Sequence, residues 1–167
     1  MLEFPILLVF PLAMAFAGAM DLLTMTIPNR VSLALVAGFL LAALLTGMTW
    51  PLFMSHVAAG AATLVIGILM FSRGWVGGGD AKLFAAASLW LGFENLLAYA
   101  ILVSLMGGTL AMAILTYRTL VPPLWIAGQH WAMRLHDRKA GIPYGLALAA
   151  AGLWIYPNTT WFSALAG

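Results

Sequence analysis

Two aspartates occupy positions where a carboxylic acid is costly and therefore usually functional. Asp21 lies within a run of apolar residues, and Asp80 follows three glycines and opens another apolar run. If two helices bring these side chains together, the pair will share one proton, because two close carboxylates cannot both ionise. The ionised acid can then take a proton from water while the protonated acid donates to a carbonyl oxygen. The pattern therefore predicts a paired-acid site for peptide hydrolysis.

The glycine triplet Gly77, Gly78 and Gly79 suits the same chemistry. Glycines adopt unusual backbone dihedral angles and let a second backbone approach closely. A peptide bond inside a helix is shielded from attack, so a substrate strand needs open access beside the acids. Each acid also has an ordinary structural explanation. Asp80 can cap a helix N-terminus, and Asp21 can be a solvated acid at a helix end.

Other catalytic and metal-binding patterns are absent from the sequence. The chain has no cysteine, which excludes thiol nucleophiles and cysteine-ligated zinc. It also lacks the H-E-x-x-H, G-x-S-x-G and G-x-x-x-x-G-K-[ST] motifs of zinc proteases, serine hydrolases and P-loop nucleotide hydrolases. A metal site from His130, His136 and Asp137 is conceivable, but their positions are more typical of a polar helix face. We therefore expect no metal and no other cofactor.

The composition defines the environment in which such a site would work. Of 167 residues, 64% are hydrophobic and 7% are charged, and the mean hydropathy is +1.04. These values exclude a soluble globular protein, a disordered chain and a nucleic-acid-binding protein. In a bilayer the backbone must satisfy its own hydrogen bonds, so we expect an all-α polytopic membrane protein. A single membrane-embedded domain is expected over residues 1–167.

Six apolar segments have the character of transmembrane helices, for which roughly 20 residues suffice to cross the bilayer. They cover about 4–23, 31–48, 54–72, 81–93, 95–117 and 141–157. The fourth segment is the weakest, because its ~13 residues reach only ~20 Å at ~1.5 Å per residue. We expect it to be a buried or partly spanning helix that leaves a water-reachable cavity above Asp80.

The loop charges give this arrangement an orientation. All the basic residues fall on one side of the six-span topology: Arg30, Arg73, Lys82, Arg118, Arg134, Arg138 and Lys139. The other side carries Glu3 and Glu94. The positive-inside rule makes the basic side cytoplasmic, with both termini outside, and makes Arg30 and Lys82 topology signals. A cleaved signal peptide is not expected, because no basic residue precedes the first apolar run.

The stretch over about 119–140 matches neither a membrane span nor a simple loop. Its apolar residues recur at helical spacing: Leu124, Gly128, Trp131, Ala132 and Leu135. Its polar residues fall mostly on the opposite side: Gln129, His130, Arg134 and Asp137. We predict a short amphipathic helix on the cytoplasmic surface, with Trp125 and Trp131 at the level of the lipid headgroups and Asp137 as a solvated charge.

Three sequence patterns, in order, resemble those of one family of membrane proteases. Gly77-Gly78-Gly79-Asp80-Ala81-Lys82-Leu83 resembles the G-x-G-D-x-K-L motif of the type IV prepilin peptidases. Asp21 followed by Ile27-Pro28-Asn29 resembles the first aspartate of that family and its downstream I-P-N. Ile142-Pro143-Tyr144-Gly145 resembles the I-P-[FY]-G segment before the last helix. The set is more specific than a lone G-x-G-D, which presenilins share.

The resemblance implies a polytopic inner-membrane aspartic protease with Asp21 and Asp80 as its catalytic pair. Such enzymes remove the short basic leader of prepilins or pseudopilins at the cytoplasmic face. The implied partners are that substrate, membrane lipid and the pilus assembly machinery. The glycines Gly77, Gly78 and Gly79 would give access to the acids. The residues that would support the motifs are Ile27, Pro28, Asn29, Lys82, Pro143, Tyr144 and Gly145.

The chain departs from the larger members of that family in two ways. Only about seven residues separate its first two spans, where larger members carry a cytoplasmic segment, often with paired cysteines, that is linked to N-methylation of the new pilin terminus. This departure implies no methyltransferase activity and a likeness to the compact peptidases of tight-adherence (Flp-type) pilus systems. The second departure is Leu146, where larger members often have proline.

Two other functions stay open from the sequence. A presenilin-like protease would cut within a transmembrane helix, but Met20 precedes Asp21 where that family has tyrosine. A membrane scaffold or transporter subunit would use the acids only to cap helices and would tolerate asparagine in their place. Transporters usually carry polar residues deep in several spans. The span centres here have few of them: Thr63, Ser104 and Thr109.

Overall fold

The computed structural model describes residues 8–123, 126 and 128–161. Within these residues the regular structure consists of six α-helices and one 3-10 turn, with no strand. The helices are α1 (Val9–Thr24), α2 (Asn29–Leu45), α3 (Trp50–Ser72), α4 (Gly78–Tyr117), α5 (His130–His136) and α6 (Tyr144–Ile155), and the 3-10 turn is Tyr156–Asn158. The predicted all-α class is confirmed.

The helices have the apolar character of membrane segments. By length and composition α3 and α4 can cross a membrane, and α1 and α2 are shorter apolar helices. Large apolar side chains point outward, and Leu69, Leu97 and Trp154 are each at least 60% exposed. The count of six spans and the placement of both termini outside stay predictions. Glu3 and the first residues of the predicted segment 4–23 lie outside the described part of the chain.

Helix α4 consists of two arms that meet at Gly92. This glycine has φ 68° and ψ 176°, which are not helical angles, and it separates a first arm, 78–91, from a second arm, 93–117. The predicted break is at Glu94, two residues later. The first arm is roughly 20 Å long at 1.5 Å per residue, so the fourth predicted segment is short, as expected.

Side chains from other elements satisfy the carbonyl groups at the end of the first arm. The break at Gly92 leaves these carbonyls without the N–H groups that a continuous helix would supply. His56 Nδ1 donates to the Leu89 oxygen at 2.8 Å, and Trp161 Nε1 donates to the Trp90 oxygen at 2.7 Å. The arm therefore ends inside the protein with these two carbonyls hydrogen-bonded.

Replacing Gly92 by alanine is expected to destabilise the protein by roughly 2–3 kcal/mol. The positive φ disfavours any side chain, and the new methyl group would lie 3.0 Å from the His56 ring. The matched control is Gly108→Ala, since a methyl group there has open space around it and stabilises a helix interior by roughly 0.5–1 kcal/mol. Thermal unfolding of both variants in detergent measures the difference, and equal melting temperatures would contradict this account of the kink.

Small residues let α1 and α6 pack closely while running in opposite directions. A side chain on Gly18 would lie 2.8 Å from the Ala149 methyl group, so the helices touch at this level. One turn further along α1, and one turn nearer the start of α6, Asp21 meets Gly145. The packing of these two helices thus places an acid of one helix against the N-terminal end of the other.

The surface helix predicted over 119–140 is shorter in the structure, where α5 has two turns. Ala132 and Leu135 are buried, and Trp131 is 39% exposed. The position of this helix on the cytoplasmic surface stays a prediction. Three residues of the predicted helix lie outside the described part of the chain: Leu124, Trp125 and Ala127.

Candidate active site

Asp21 lies one turn before the end of α1, in the protein interior. The residue is 6% exposed, so it is not the solvated acid of the alternative interpretation. The helix ends at Met25, which has a left-handed conformation (φ 56°) and donates its N–H to the Asp21 carbonyl oxygen at 2.8 Å. A positive φ is uncommon for a residue with a side chain. The chain therefore turns sharply just after Asp21.

Asp80 is the third residue of α4 and is half-buried. The N-cap of the helix is Gly77, and the Gly77 backbone is hydrogen-bonded to the Asp80 carboxylate. This bond from the third helical position back to the N-cap is one half of a capping box. The alternative interpretation made Asp80 itself the N-cap, whereas the N-cap is Gly77, three residues earlier. A side chain at position 77 would lie 2.8 Å from Asp80 Oδ2, so glycine is needed there for space.

The structure brings the two predicted acids within electrostatic range of each other, where α1, α4 and α6 meet. The two carboxyl groups interact electrostatically. The backbone N–H of Gly145, at the start of α6, donates to Asp21 Oδ2 at 2.7 Å. Each acid therefore has a backbone hydrogen bond that fixes its orientation, and the two acids come from different helices.

Ile27 contacts the two other sequence patterns. A methyl group on Gly79 would lie 3.2 Å from Ile27 Cβ, and one on Gly145 would lie 2.7 Å from Ile27 Cδ1. Nearby, Lys82 Nζ donates to Asn29 Oδ1 at 3.0 Å. Lys82 was predicted as a topology signal, and in the structure it also joins the second motif to the first. Three segments that are distant in the sequence thus meet around the acids.

The two prolines of the motifs stand at the starts of helices. Pro28 is the N-cap of α2 and Pro143 is the N-cap of α6, and Pro143 is fully buried. The Tyr144 ring packs on Gly107, where a side chain would lie 3.2 Å from the ring. This contact fastens the start of α6, and with it the Gly145 N–H, to the second arm of α4.

The glycine triplet reflects close packing and not unusual dihedral angles. Gly77 has an ordinary φ of −66°, and Gly78 and Gly79 are the first two residues of a regular helix. A side chain on Gly78 would lie 3.3 Å from the Phe71 ring. The triplet does not use the conformational freedom of glycine, because the helix begins earlier than predicted. The glycines with positive φ, among the residues described, are Gly47, Gly74 and Gly92.

Two arginines bind backbone carbonyl groups near the site, a role that the sequence did not predict. Arg118 was predicted as a loop charge, and Arg134 as a loop charge on the polar face of the surface helix. Arg134 Nη1 donates to the Leu23 oxygen at 2.8 Å, two residues after Asp21. Arg118 donates to three carbonyl groups of the segment between α5 and α6 and of the end of α5. These contacts join residues 17 to 111 positions apart, so no local sequence pattern indicates them.

A groove of about 560 Å³ lies beside Lys82. Its walls are α2 and α3, and its floor is the first arm of α4. Residues that line it include Asn29, Val36, Gly60, Leu64, Ala85 and Leu89. Neither acid lines this groove, so the predicted water-reachable cavity above Asp80 stays a prediction.

The chemistry of the site comes from two carboxyl groups and the backbone hydrogen bonds that orient them. Among the described residues, no group of three or more His, Cys, Asp or Glu side chains is arranged to hold a metal ion. A carboxylate can take a proton from water, and a carboxylic acid can donate one to a carbonyl oxygen. The arrangement can therefore support acid–base hydrolysis by its own side chains.

Comparison with known proteins identifies relatives of the chain. A model of the type IV leader peptidase family matches residues 8–112, which include Asp21 and Asp80. A protein of Aeromonas salmonicida named prepilin leader peptidase/N-methyltransferase is 31% identical over 152 residues, covering 85% of this chain and 46% of that protein. A protein of Aeromonas hydrophila with the same name is 30% identical over 152 residues, covering 85% and 47%.

The chain spans slightly less than half the length of these curated relatives. No solved structure matches it significantly. The family model, in contrast, covers more than half of the chain and includes both acids, the whole of α1 and the first arm of α4. The chain belongs to the type IV leader peptidase family.

Proposed function

We propose that this protein is a membrane-embedded aspartic endopeptidase that removes the short basic leader from prepilins or pseudopilins at the cytoplasmic face of the inner membrane. One observation carries the proposal: Asp21 and Asp80 come from different helices, lie within electrostatic range of each other and are each oriented by the backbone. Family membership supports the same activity.

In this proposal the two acids share one proton, because two close carboxylates in a poorly solvated site cannot both ionise. The ionised acid takes a proton from a water molecule, whose oxygen attacks the scissile carbonyl carbon. The protonated acid donates its proton to the carbonyl oxygen, which gives a neutral tetrahedral intermediate. As the C–N bond breaks, the acid that took the water proton gives it to the nitrogen of the leaving peptide, and a hydroxyl group of the intermediate passes its proton to the other carboxylate. The pair therefore ends singly protonated, as it began.

The neighbouring backbone supports this mechanism by limiting the movement of the carboxyl groups. The Gly145 N–H holds one oxygen of Asp21, which leaves the other oxygen for water or for the shared proton. The Gly77 backbone holds Asp80 in the same way. Gly77 is exposed beside Asp80 and carries no side chain, so in this proposal an extended substrate backbone approaches the acids at that position.

The substrate enters sideways from the bilayer in this proposal. A prepilin has an apolar helix that can lie in the same membrane, while its basic leader stays in the cytoplasm. Confinement to the membrane raises the effective concentration of the substrate, so a deep cleft is not required. In this proposal the acids face the cytoplasm and both termini lie outside, which the positive-inside rule supports because the basic residues fall on one side of the predicted topology.

We further propose that the protein does not methylate its product. The named relatives carry both activities in their name but are about twice as long. In this chain α1 and α2 are joined by only Met25, Thr26, Ile27 and Pro28. This connection and the absence of cysteine support a compact peptidase of the tight-adherence (Flp) pilus type.

Co-expression with a tagged Flp-type prepilin tests the proposed function. We expect a mature form on a gel, cut at the junction between the leader and the apolar helix, with an unmethylated N-terminus by mass spectrometry. A cut inside the apolar helix would favour a presenilin-like protease instead, and a product heavier by one methyl group would contradict the peptidase-only proposal. An uncut precursor, tested across several pilins, would favour a scaffold.

A further inference from the structure

One side chain fastens the segment that leads into α6. Arg118, at the end of the second arm of α4, donates from Nε to the Leu135 oxygen at 2.8 Å. It donates from Nη2 to the Ala140 and Gly141 oxygens, both at 2.9 Å. Three carbonyl groups on both sides of the turn at 137–139 are thus gathered on one guanidinium group.

The described backbone hydrogen bonds of this turn are short-range. The Ala140 N–H donates to the Asp137 oxygen at 3.1 Å, and the Lys139 N–H donates to Asp137 Oδ1 at 2.9 Å. These bonds shape the turn but do not attach it to the helices of the bundle. The guanidinium group of Arg118 attaches both sides of the turn. On the α5 side it is joined by His136, whose Nε2 donates to the Leu120 oxygen at 2.9 Å and whose ring packs against Tyr117.

The fastened segment ends at the active-site donor. Three residues separate Gly141, which Arg118 holds, from Gly145, whose N–H donates to Asp21 Oδ2 at 2.7 Å. Gly145 has little freedom there, because an added methyl group would lie 2.7 Å from Ile27 and 2.8 Å from the same carboxylate oxygen. A displacement of the segment therefore lengthens the bond to Asp21 or presses α6 against Ile27.

We infer that Arg118 is a positioning residue for the acid pair: by holding the carbonyl groups of residues 135, 140 and 141, it sets the Gly145 N–H against Asp21. The inference rests on the proposed function for its catalytic consequence, but the link between Arg118 and Asp21 is a property of the fold. Arg118 needs the planar fork of arginine for this role, since lysine has one compact ammonium group and cannot hold all three carbonyl groups in the same geometry.

The competing explanation treats Arg118 only as a cytoplasmic charge that sets topology. Lysine serves that purpose equally well. Arg138 is a matched control, because it is exposed, lies in the turn that Arg118 holds, and carries the same charge. Arg118→Lys and Arg138→Lys both preserve the positive charge. They differ because only Arg118→Lys removes the guanidinium group that holds the three carbonyl groups.

The first measurement is steady-state cleavage of a prepilin by the two variants in detergent micelles. For Arg118→Lys we expect kcat to fall roughly tenfold to hundredfold, as for the loss of a hydrogen bond to a charged group, with KM unchanged and only a small fall in melting temperature. Arg138→Lys is expected to match the wild type. A wild-type kcat for Arg118→Lys would overturn the inference, and so would a fall in kcat that the Arg138 control shared.

The second measurement does not depend on activity. The infrared carboxyl band of Asp21, identified by its loss in Asp21→Asn, is compared between the wild type, Arg118→Lys and Arg138→Lys. We expect the band to move in Arg118→Lys alone, because the hydrogen bond from Gly145 changes. An unmoved band would overturn the inference even if cleavage were slow. A moved band in a protein that cleaves no prepilin would uphold the positioning role and count against the proposed function.

Discussion

Replacing either Asp21 or Asp80 by asparagine is expected to reduce prepilin cleavage by roughly a thousandfold or more. Asparagine has nearly the same shape but can neither take a proton from water nor donate one as an acid. Both variants should still accumulate in the membrane, because asparagine can accept the backbone hydrogen bonds that Gly145 and Gly77 supply to the carboxylates. The ratio of precursor to mature pilin on a gel, in the co-expression assay, measures the loss.

The control for this prediction is Asp137→Asn. Asp137 is exposed, and its carboxylate accepts the N–H of Lys139 within the same turn, so wild-type cleavage is expected. The double variant of Asp21 and Asp80 should be no worse than either single variant, because residues that act as one unit do not contribute additively. Cleavage at the wild-type rate by either single variant would refute the paired-acid mechanism and favour the scaffold.

The second large effect is expected from Gly145→Ala, a change of one methyl group. The added atom would lie 2.7 Å from Ile27 Cδ1, 2.8 Å from Asp21 Oδ2 and 2.9 Å from Asp21 Cβ. Relief of these contacts must push α6 away from α1 and misplace the carboxylate. Misplacement by about 1 Å can cost roughly a hundredfold in rate, and overpacking costs roughly 1–3 kcal/mol in stability.

Gly141→Ala is the matched control for that prediction. It makes the same substitution four residues earlier in the chain, where a methyl group would have open space around it. We expect cleavage and melting temperature close to those of the wild type. Cleavage rates and thermal unfolding should be measured together for both variants. Full activity of the Gly145 variant would show that the contact between α6 and Asp21 is not needed for catalysis.

The two acids could be found from the sequence because their surroundings are informative. Asp21 interrupts an apolar run, and Asp80 follows a glycine triplet at the start of another. Both observations depend only on neighbouring residues and on the cost of an acid in lipid. The three motifs could likewise be recognised one by one. Their convergence on Ile27 could not be derived, because packing across helices leaves no local pattern.

The side-chain contacts that support the site could not be predicted from the sequence. Arg118 and His56 each donate to backbone carbonyl groups far away in the chain. A carbonyl acceptor belongs to every residue, so no residue type marks the partner in advance. From the sequence, a loop arginine can equally well be a charge that sets topology or a side chain that binds backbone carbonyl groups. The N-cap at Gly77 was not predicted for a related reason: aspartate is itself a common N-cap residue, so the acid three residues later looked like the cap.

The buried end of the first arm of α4 has a consequence for the depth of the site. That arm is roughly 20 Å long and ends at hydrogen bonds from His56 and Trp161, whereas most membrane helices end at the lipid–water interface. The protein itself therefore fixes the distance between Asp80 and the kink at Gly92. A thicker or thinner bilayer can tilt longer helices, but it does not change the length of this arm. In the proposed function, the position at which a peptide bond meets the acids is accordingly fixed relative to the kink, whatever the thickness of the membrane.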